Sequence, residues 1–255
     1  YVQLLGSDPE LMAANARVAA QLGAPGIDLN FGCPAKTVNK SRGGATLLRT
    51  PAVIYEVCKA VRDATPADVP VTAKVRLGFD DDRQFEEITN HAFASGITEL
   101  TVHARTKAQA YRPPAHWSTL RSIHNSRGIP VIANGEIWTP SDLFQCRNVS
   151  GCDAFMLARG AVCRPDLARA ILAHDQGQLI DPMTWEEITE LLVHFFDANG
   201  ALYERKFAIN PVKQWLVYLQ YAYPQAAALF AQIKRIRDPD PMRAALIGAN
   251  QSVAA

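Results

Sequence analysis

A cysteine that follows a short apolar segment has the clearest potential for chemistry in this sequence. Residues 26–30 are mostly apolar and lead directly into Asn30-Phe31-Gly32-Cys33-Pro34. If this segment is a buried strand, the Cys33 thiol lies at its carboxyl end, where open-topped α/β enzymes keep their catalytic groups. A buried, inert cysteine is the commoner role of this residue type. From its position alone, Cys33 is a candidate for either role.

Two cations share one face of a second apolar segment, residues 71–77. Lys74 and Arg76 stand two residues apart, so in a strand they point the same way. A buried cation is costly without an anion. Either carboxylates such as Asp28 or Glu99 pair with them, or they line the mouth of the fold beside an anionic cofactor or a nucleic-acid backbone.

Further polar side chains are predicted at the same edge. His103 ends one apolar segment and Asn134 follows another, which places both near Cys33 and Lys74. A lone histidine at a strand end is often structural, but these neighbours favour a functional role. Gln3 lies in a strand predicted to be buried, where either a contact with a cofactor ring or an internal bond to the backbone would satisfy its amide. The sequence has no HExxH motif, histidine-rich cluster or paired carboxylates, so we expect no catalytic metal.

Six short apolar segments alternate with helix signals, and this alternation predicts a parallel sheet. The segments are rich in Val, Ile and Leu, as strands covered on both faces should be. They span residues 2–5, 26–30, 71–77, 99–103, 130–133 and 153–157.

Helix starts are predicted where a capping side chain precedes a proline, at Asp8-Pro9, Thr50-Pro51 and Thr139-Pro140. The first of these helices has an apolar stripe that we expect to face the core; it includes Leu11, Val18 and Leu22. Two more helices are predicted over residues 83–95 and 116–126.

Six strands suit an open doubly wound sheet, whereas a (β/α)8 barrel needs two more. Barrel enzymes often bind phosphate in the loops after their last two strands. Here those loops hold Asn134-Gly135-Glu136 and Arg159-Gly160, whose glycines allow close backbone approach and whose arginine is a bidentate cation. The GxGxxG and GxxxxGKS/T nucleotide-binding loops do not occur. We therefore predict for residues 1–176 a (β/α)8 TIM barrel that lacks its first two strands, which we expect upstream of Tyr1.

After about residue 173 the strand signals stop, and we predict a C-terminal all-α helical domain over residues 177–255. Helix candidates span residues 185–199, 211–221, 225–237 and 241–249. Between Asp197 and Arg243, seven Lys or Arg stand against four Asp or Glu, with aromatic residues interleaved. A solvated face over an aromatic core explains this pattern, and so does a surface for phosphates and bases. Residues 36–44 leave a similar choice between a solvated loop and one that grips a nucleic-acid backbone.

The composition bounds the remaining possibilities. The chain has 255 residues and is 48% hydrophobic, which is enough for a sizeable core. Lys and Arg number 26 against 25 Asp and Glu, so a nucleic-acid partner has to be argued from local patches. The five cysteines have no CxxC spacing, which argues against a disulfide framework or a zinc site. With no signal peptide and no apolar run of about 20 residues, we expect a soluble cytoplasmic protein.

Several of these segments together resemble the tRNA-dihydrouridine synthases. The matching motifs are Asn30-Phe31-Gly32-Cys33-Pro34, Lys36-Thr37-Val38-Asn39, Arg42-Gly43-Gly44-Ala45, Lys74-Val75-Arg76-Leu77-Gly78, Val102-His103-Ala104-Arg105-Thr106 and Ile132-Ala133-Asn134-Gly135-Glu136-Ile137. In order, they cover essentially the whole chain. The segment Val212-Lys213-Gln214-Trp215-Leu216 is similar to the bacterial class C members, which reduce uridine 16 of the tRNA D-loop.

The resemblance implies an FMN-dependent oxidoreductase that takes its electrons from NADPH. Reduced flavin would pass hydride to C6 of the uracil, and Cys33 would protonate C5 as a general acid. FMN contacts are implied for Gln3, Lys74, His103, Asn134, Gly135, Glu136, Ala158 and Arg159. tRNA contacts are expected for Asn30, Lys36, Lys40, Arg42, Arg76, Arg105, Arg205, Lys206, Lys213 and Trp215. We expect a monomer that binds tRNA without a membrane or an obligate protein partner.

Two features depart from the family pattern. Ala158 stands where the family has a glycine, which keeps a backbone N–H but narrows the approach of a phosphate. The family also begins with a strand and loop that wrap the flavin, which we expect upstream of Tyr1.

Two other functions stay open. One is a tRNA-binding module without activity, since absent strands would leave open sheet edges; the other is a flavin barrel oxidoreductase of a small molecule.

Overall fold

The computed structural model describes residues 1–123 and 128–251 and contains a six-stranded, fully parallel sheet. Its strands are β1 (Val2–Leu4), β2 (Ile27–Asn30), β3 (Val71–Arg76), β4 (Glu99–His103), β5 (Val131–Asn134) and β6 (Ala154–Met156). They lie side by side in chain order, each paired in parallel with the next. A doubly wound sheet would reverse its strand order. The arrangement is therefore that of a partial (β/α)8 barrel, which confirms the predicted fold class.

Helices connect the strands, and their starts follow the sequence signals in part. They are α1 (Pro9–Gln21), α2 (Lys36–Lys40), α3 (Pro51–Ala64), α4 (Phe85–Ala94) and α5 (Pro140–Ser150), with 3₁₀ helices at Gly44–Arg49 and Trp117–Ser122. Asp8 caps α1 as predicted, since its Oδ1 accepts from the Leu11 N–H at 2.9 Å. Thr50 makes no capping bond to α3, so that prediction is wrong and the proline alone marks the start.

Two other helix predictions differ from the structure. The helix expected over residues 116–126 is a short 3₁₀ helix that ends at Ser122, and residues 124–126 lie outside the described residues. In α1, the stripe predicted to face the core is exposed: Leu11 by 64%, Val18 by 54% and Leu22 by 83%. The helix packs along α3 with a different face, on which Met12 and Ala16 are buried.

The inner strands are buried as their apolar sequences predict, whereas the first strand is not. Val71, Ala73 and Val75 of β3 have no exposed surface. In β1, Val2 is 39% exposed and Gln3 is also exposed. The predicted burial of this strand is wrong because, within the described residues, β1 pairs only with β2.

The strand register gathers the predicted polar residues at the carboxyl ends of the strands. Asn30 of β2 is aligned with Lys74 of β3. The register between β4 and β5 likewise aligns His103 of β4 with Asn134 of β5. Neighbouring parallel strands thus bring these side chains to one edge of the sheet, as the sequence predicts.

The chain divides into two compact units. Unit 1 comprises Tyr1–Ile137 and Ser141–Met156 and holds the sheet; unit 2 comprises Trp138–Pro140 and Leu157–Ala255. The helices of unit 2 are α6 (Arg159–Cys163), α7 (Leu167–Asp175), α8 (Trp185–Leu202), α9 (Ile209–Leu219), α10 (Pro224–Ile233) and α11 (Pro239–Gln251). The last four of them, α8 to α11, enclose an apolar core that includes Phe196, Leu216 and Ile233. The domain boundary expected at 176/177 stays a prediction.

The four helices predicted after residue 184 are all present as α8 to α11. The first begins with a capping box, in which the Thr184 hydroxyl accepts from the Glu187 N–H and the Glu187 carboxylate accepts from the Thr184 N–H. No helix in the described part of the chain is long and apolar enough to cross a membrane.

Candidate active site

The Cys33 backbone is held on both sides by side-chain amides. Asn30, the last residue of β2, accepts from the N–H groups of Gly32 and Cys33 through its Oδ1, each at 3.0 Å. The Cys33 carbonyl accepts from Asn39 Nδ2 at 2.8 Å and from the Ala45 N–H at 3.0 Å. These bonds fix the loop without using the sulfur atom, so the thiol can react without loss of an anchor.

Two further contacts hold the loop that carries Cys33. Gly44 has a positive φ of 60°, and a Cβ built on it would lie 2.8 Å from the Cys33 carbonyl oxygen and 2.9 Å from Cys33 Cβ. Only glycine therefore permits this packing. From the opposite side, Arg76 Nε donates to the Gly32 carbonyl at 2.8 Å.

Cys33 differs from the other cysteines in its exposure. It is partly exposed, whereas Cys58, Cys146, Cys152 and Cys163 are buried. Burial raises the pKa of Cys58 and of Cys146 to about 12, and it raises the pKa of the remaining two thiols as well. Since the thiolate is the reactive species, the buried cysteines are inert and Cys33 is the accessible thiol.

We expect Ellman's reagent at pH 8 to modify one thiol per chain rapidly in the native protein. The physical reason is that the reagent needs an accessible thiolate, which burial denies to the other four cysteines. Cys33→Ala should remove the fast phase, while the matched control Cys163→Ala should keep it. A fast phase that survives Cys33→Ala, or that counts more than one thiol, would contradict this assignment.

A chain of hydrogen bonds across three strands supports Asn30. Thr72 Oγ1 donates to Asp28 Oδ1 at 2.7 Å, and Gln3 Nε2 donates to Asp28 Oδ2 at 2.6 Å. Gln3 Oε1 then accepts from Asn30 Nδ2 at 3.0 Å. The Gln3 amide is thus satisfied internally, by side chains rather than by backbone. Its contact with FMN stays a prediction.

Lys74 is a largely buried cation whose hydrogen-bond partner is a neutral amide. Its Nζ donates to Asn134 Oδ1 at 2.9 Å, and Asn134 Nδ2 donates to the Met156 carbonyl at 2.8 Å. Burial above all lowers the pKa of Lys74 to about 8; the charge of Arg76 adds to this and that of Asp28 opposes it. Among the described residues no carboxylate lies within ion-pair distance of Lys74. An ammonium in this setting is suited to a bound anion or electron-rich oxygen.

The turn after β5 has an unusual backbone and firm supports. Gly135 has a φ of 112° and Glu136 a φ of 61°, which is rare for a residue with a side chain. The Gly135 carbonyl accepts from Trp117 Nε1 at 2.8 Å. The Glu136 carboxylate forms an ion pair with Arg105, whose side chain is fully buried. Such strain persists only where the surroundings hold it, and it is often found at functional sites.

Arg76 and Arg105, both expected to contact tRNA, make internal bonds here. Arg76 is 2% exposed, and its Nη1 donates to the carbonyls of Thr106 at 3.2 Å and Ala110 at 3.0 Å. Arg105 is 0% exposed and donates from Nε to the Arg112 carbonyl at 2.7 Å. As arranged, neither guanidinium offers surface to a partner, and the tRNA contacts of both stay predictions.

The other cations of unit 1 assigned to tRNA are exposed. Lys36 and Lys40 lie at the two ends of α2, so the predicted loop over residues 36–44 contains a short helix instead. Arg42 follows with a positive φ of 58°. In the described part of the chain, no three His, Cys, Asp or Glu side chains are grouped as metal ligands.

Of the cations of unit 2 that are predicted to contact tRNA, two form exposed ion pairs and one bonds to backbone carbonyls. Arg205 and Lys206 are about half exposed and pair with Asp240 at 2.7 Å and Glu204 at 2.6 Å. Lys213 Nζ instead donates to the carbonyls of Lys234 at 3.2 Å and Ile236 at 2.6 Å, where it caps the end of α10.

Unit 2 also contains three other predicted site residues, Trp215, Ala158 and Arg159. Trp215 Nε1 donates to the Val162 carbonyl at 2.9 Å. Ala158 precedes α6, and the Arg159 guanidinium carbon lies 5.2 Å from the centre of the Trp138 ring. The tRNA contact of Trp215 and the FMN contacts of Ala158 and Arg159 stay predictions.

Comparison with known proteins gives a consistent picture. The family model described as dihydrouridine synthase (Dus) matches residues 1–251. A tRNA-dihydrouridine(16) synthase of Aquipseudomonas alcaligenes is 47% identical over 237 residues, which are 93% of this chain and 75% of that protein. The Pseudomonas putida protein of the same name is 48% identical over 93% of this chain and 73% of its own length. The Vibrio cholerae protein of that name is 45% identical over 94% and 73%.

Proposed function

The chain belongs to the dihydrouridine synthase family, and on that basis we propose that it reduces uridine 16 of tRNA to 5,6-dihydrouridine. FMN is the bound cofactor in this proposal, and NADPH is the reductant. The names of the similar bacterial proteins support the tRNA substrate and the position. The observation that carries the chemistry is the Cys33 thiol, which is partly exposed at the end of β2 while its backbone is held by other residues.

The residues at the strand ends fit an FMN. The Lys74 ammonium, buried and bonded to the neutral Asn134 amide, suits the electron-rich oxygens and nitrogens of a flavin. The Gly135 turn lacks a Cβ that would fill the space beside His103. We assign the cofactor contacts to Gln3, Lys74, His103, Asn134, Gly135 and Glu136, with Ala158 and Arg159 as phosphate contacts. FMN held by these residues would supply the hydride for C6 of the uracil ring, with NADPH as the source of its electrons.

Cys33 completes the reduction as a general acid. Addition of hydride at C6 leaves an electron pair on C5, conjugated with the C4 carbonyl. The Cys33 S–H bond breaks, its proton forms the new C5–H bond, and the electron pair stays on sulfur as a thiolate. Because Cys33 is partly exposed, solvent can return the proton to the thiolate before the next turnover.

The tRNA is held mainly by exposed cations. Lys36, Lys40 and Arg42 lie next to the Cys33 loop in the chain. In unit 2, Arg205 and Lys206 are exposed cations, each in a surface ion pair that a phosphate can replace. A uridine within a folded tRNA must leave its stack to reach a catalytic group. Contacts to the phosphate backbone hold the RNA by shape while one base is extruded.

We expect the purified chain to bind FMN and to form dihydrouridine on an unmodified tRNA transcript when NADPH is supplied. The flavin absorbance of the protein and mass spectrometry of the digested tRNA measure the two properties. A transcript with cytidine at position 16 is the matched control and should give no product. A protein that binds no FMN and yields no dihydrouridine would overturn the proposal, and product from the control transcript would overturn the position.

A further inference from the structure

Arg105 is a fully buried charge that lies two residues after His103, at the end of β4. A guanidinium is always protonated in proteins, so its burial requires partners that accept hydrogen bonds. Two of its partners are the Glu136 carboxylate and the Arg112 carbonyl, the latter 2.7 Å from Nε. These bonds connect the end of β4 to the turn after β5 and to the loop before the 3₁₀ helix at Trp117–Ser122.

The third partner of Arg105 is a ring nitrogen. Arg105 Nη1 lies 3.3 Å from His103 Nε2, in hydrogen-bonding geometry. The guanidinium has five N–H donors and no acceptor, so Nε2 has to be the acceptor and carries no proton. In a neutral imidazole the proton is then on Nδ1, because the bond made by one nitrogen decides the state of the other.

The orientation of the ring is fixed as well as its protonation. A Cβ at Gly135 would lie 2.8 Å from His103 Cδ2 and 3.0 Å from Nε2, so the Gly135 backbone closely flanks the ring. The Tyr111 ring lies 5.9 Å from it, centre to centre, at an angle of 32°. The imidazole therefore has little freedom to turn over and exchange its two nitrogens.

We propose that Arg105 is a positioning residue that holds His103 as the neutral tautomer protonated at Nδ1. The imidazole then gives an N–H donor of fixed direction to a carbonyl or phosphate oxygen bound at the strand ends. That this oxygen belongs to FMN rests on the proposed function, whereas the tautomer does not. Glu136 contributes by pairing with Arg105 from the left-handed turn after β5.

The tautomer can be measured by NMR on the full chain labelled with ¹⁵N-histidine, without added flavin. The His103 signals are assigned by their loss in His103→Gln. In the parent protein we expect a protonated Nδ1 and an unprotonated Nε2. Arg105→Met should lower the ratio of the Nδ1-protonated to the Nε2-protonated tautomer about ten-fold or more. This factor corresponds to the free energy of one charge-assisted hydrogen bond. The matched control is Arg62→Met, since Arg62 donates to the carbonyls of Thr65 and Val69 in the same way but touches no site residue; it should leave the ratio unchanged.

Two results would overturn the proposal. One is a parent spectrum in which His103 Nε2 is protonated, and the other is an Arg105→Met spectrum identical to that of the parent. If Arg105→Met does not fold, the parent spectrum decides alone. A protein with the expected tautomer but no dihydrouridine product refutes the proposed function and leaves this inference intact.

Discussion

Replacement of Cys33 by alanine is expected to lower the rate of dihydrouridine formation about 100- to 10,000-fold, the range of a lost general acid. The binding of FMN and of tRNA should stay within about three-fold of the parent, since the loop is anchored by the backbone of residue 33. Asn30, Asn39 and Ala45 bond the N–H and carbonyl of Cys33, and alanine has both groups. Single-turnover assays on unmodified tRNA measure the rate, and flavin titration measures the binding.

Two variants sharpen this test. Cys163→Ala removes a buried thiol and should leave the rate unchanged. Asn39→Ala keeps the Cys33 thiol but removes one of the two bonds to the Cys33 carbonyl; a rate loss of about ten-fold is expected, since a small displacement of a catalytic group is costly. Product formation by Cys33→Ala at the parental rate would show that another group protonates C5.

The strands and the edge that holds the site could be predicted because both follow from local sequence. Segments such as residues 130–133 are continuously apolar, as strands covered on both faces must be. Parallel pairing then places their carboxyl ends together whatever the loops do. Knowing where the strands end was therefore enough to predict that Lys74, His103 and Asn134 lie at that edge, and the structure has them there. Cys33 follows in the loop after β2, bonded to Asn30 at the end of that strand.

The supports of the site could not be predicted, because they join residues that are distant in the chain. Nothing in the sequence around Asp28 indicates that it accepts from both Gln3 and Thr72. Arg76 and Arg105 carry the same charge as the exposed Lys36, and sequence alone does not separate these buried cations from an exposed one. Their position in or next to apolar strands was the available signal that their hydrogen bonds go to internal carbonyls.

Replacement of Lys74 by methionine is expected to stabilise the protein while it weakens the cofactor site. The pKa of Lys74 in the folded protein is lowered from its ordinary value of 10.5 to about 8, chiefly by burial. Between these two values the unfolded chain binds more protons than the folded one, so stability rises with pH across that window. Below pH 8 the folded protein bears the full cost of the buried charge, about 3 kcal/mol. Methionine removes this cost but also loses the hydrogen bond from the charged ammonium to Asn134, which contributes about 2 kcal/mol.

The free energy of unfolding of Lys74→Met at pH 7 should therefore exceed that of the parent by about 1 kcal/mol. The difference should shrink above pH 8 and change sign as the pH approaches 10.5, because the cost of the buried charge is then gone and only the variant's lost hydrogen bond remains. FMN affinity should fall about 10- to 100-fold, the worth of a hydrogen bond to a charged group. Urea unfolding across pH and flavin titration at pH 7 measure the two effects. Lys59→Met is the control, because Lys59 lies on the surface of α3 in an ion pair with Asp63 and should change neither quantity appreciably. A variant that is more stable than the parent but binds FMN more weakly would identify Lys74 as a residue whose role is cofactor binding. A Lys74→Met protein less stable than the parent at pH 7 would show that Lys74 has a structural role instead.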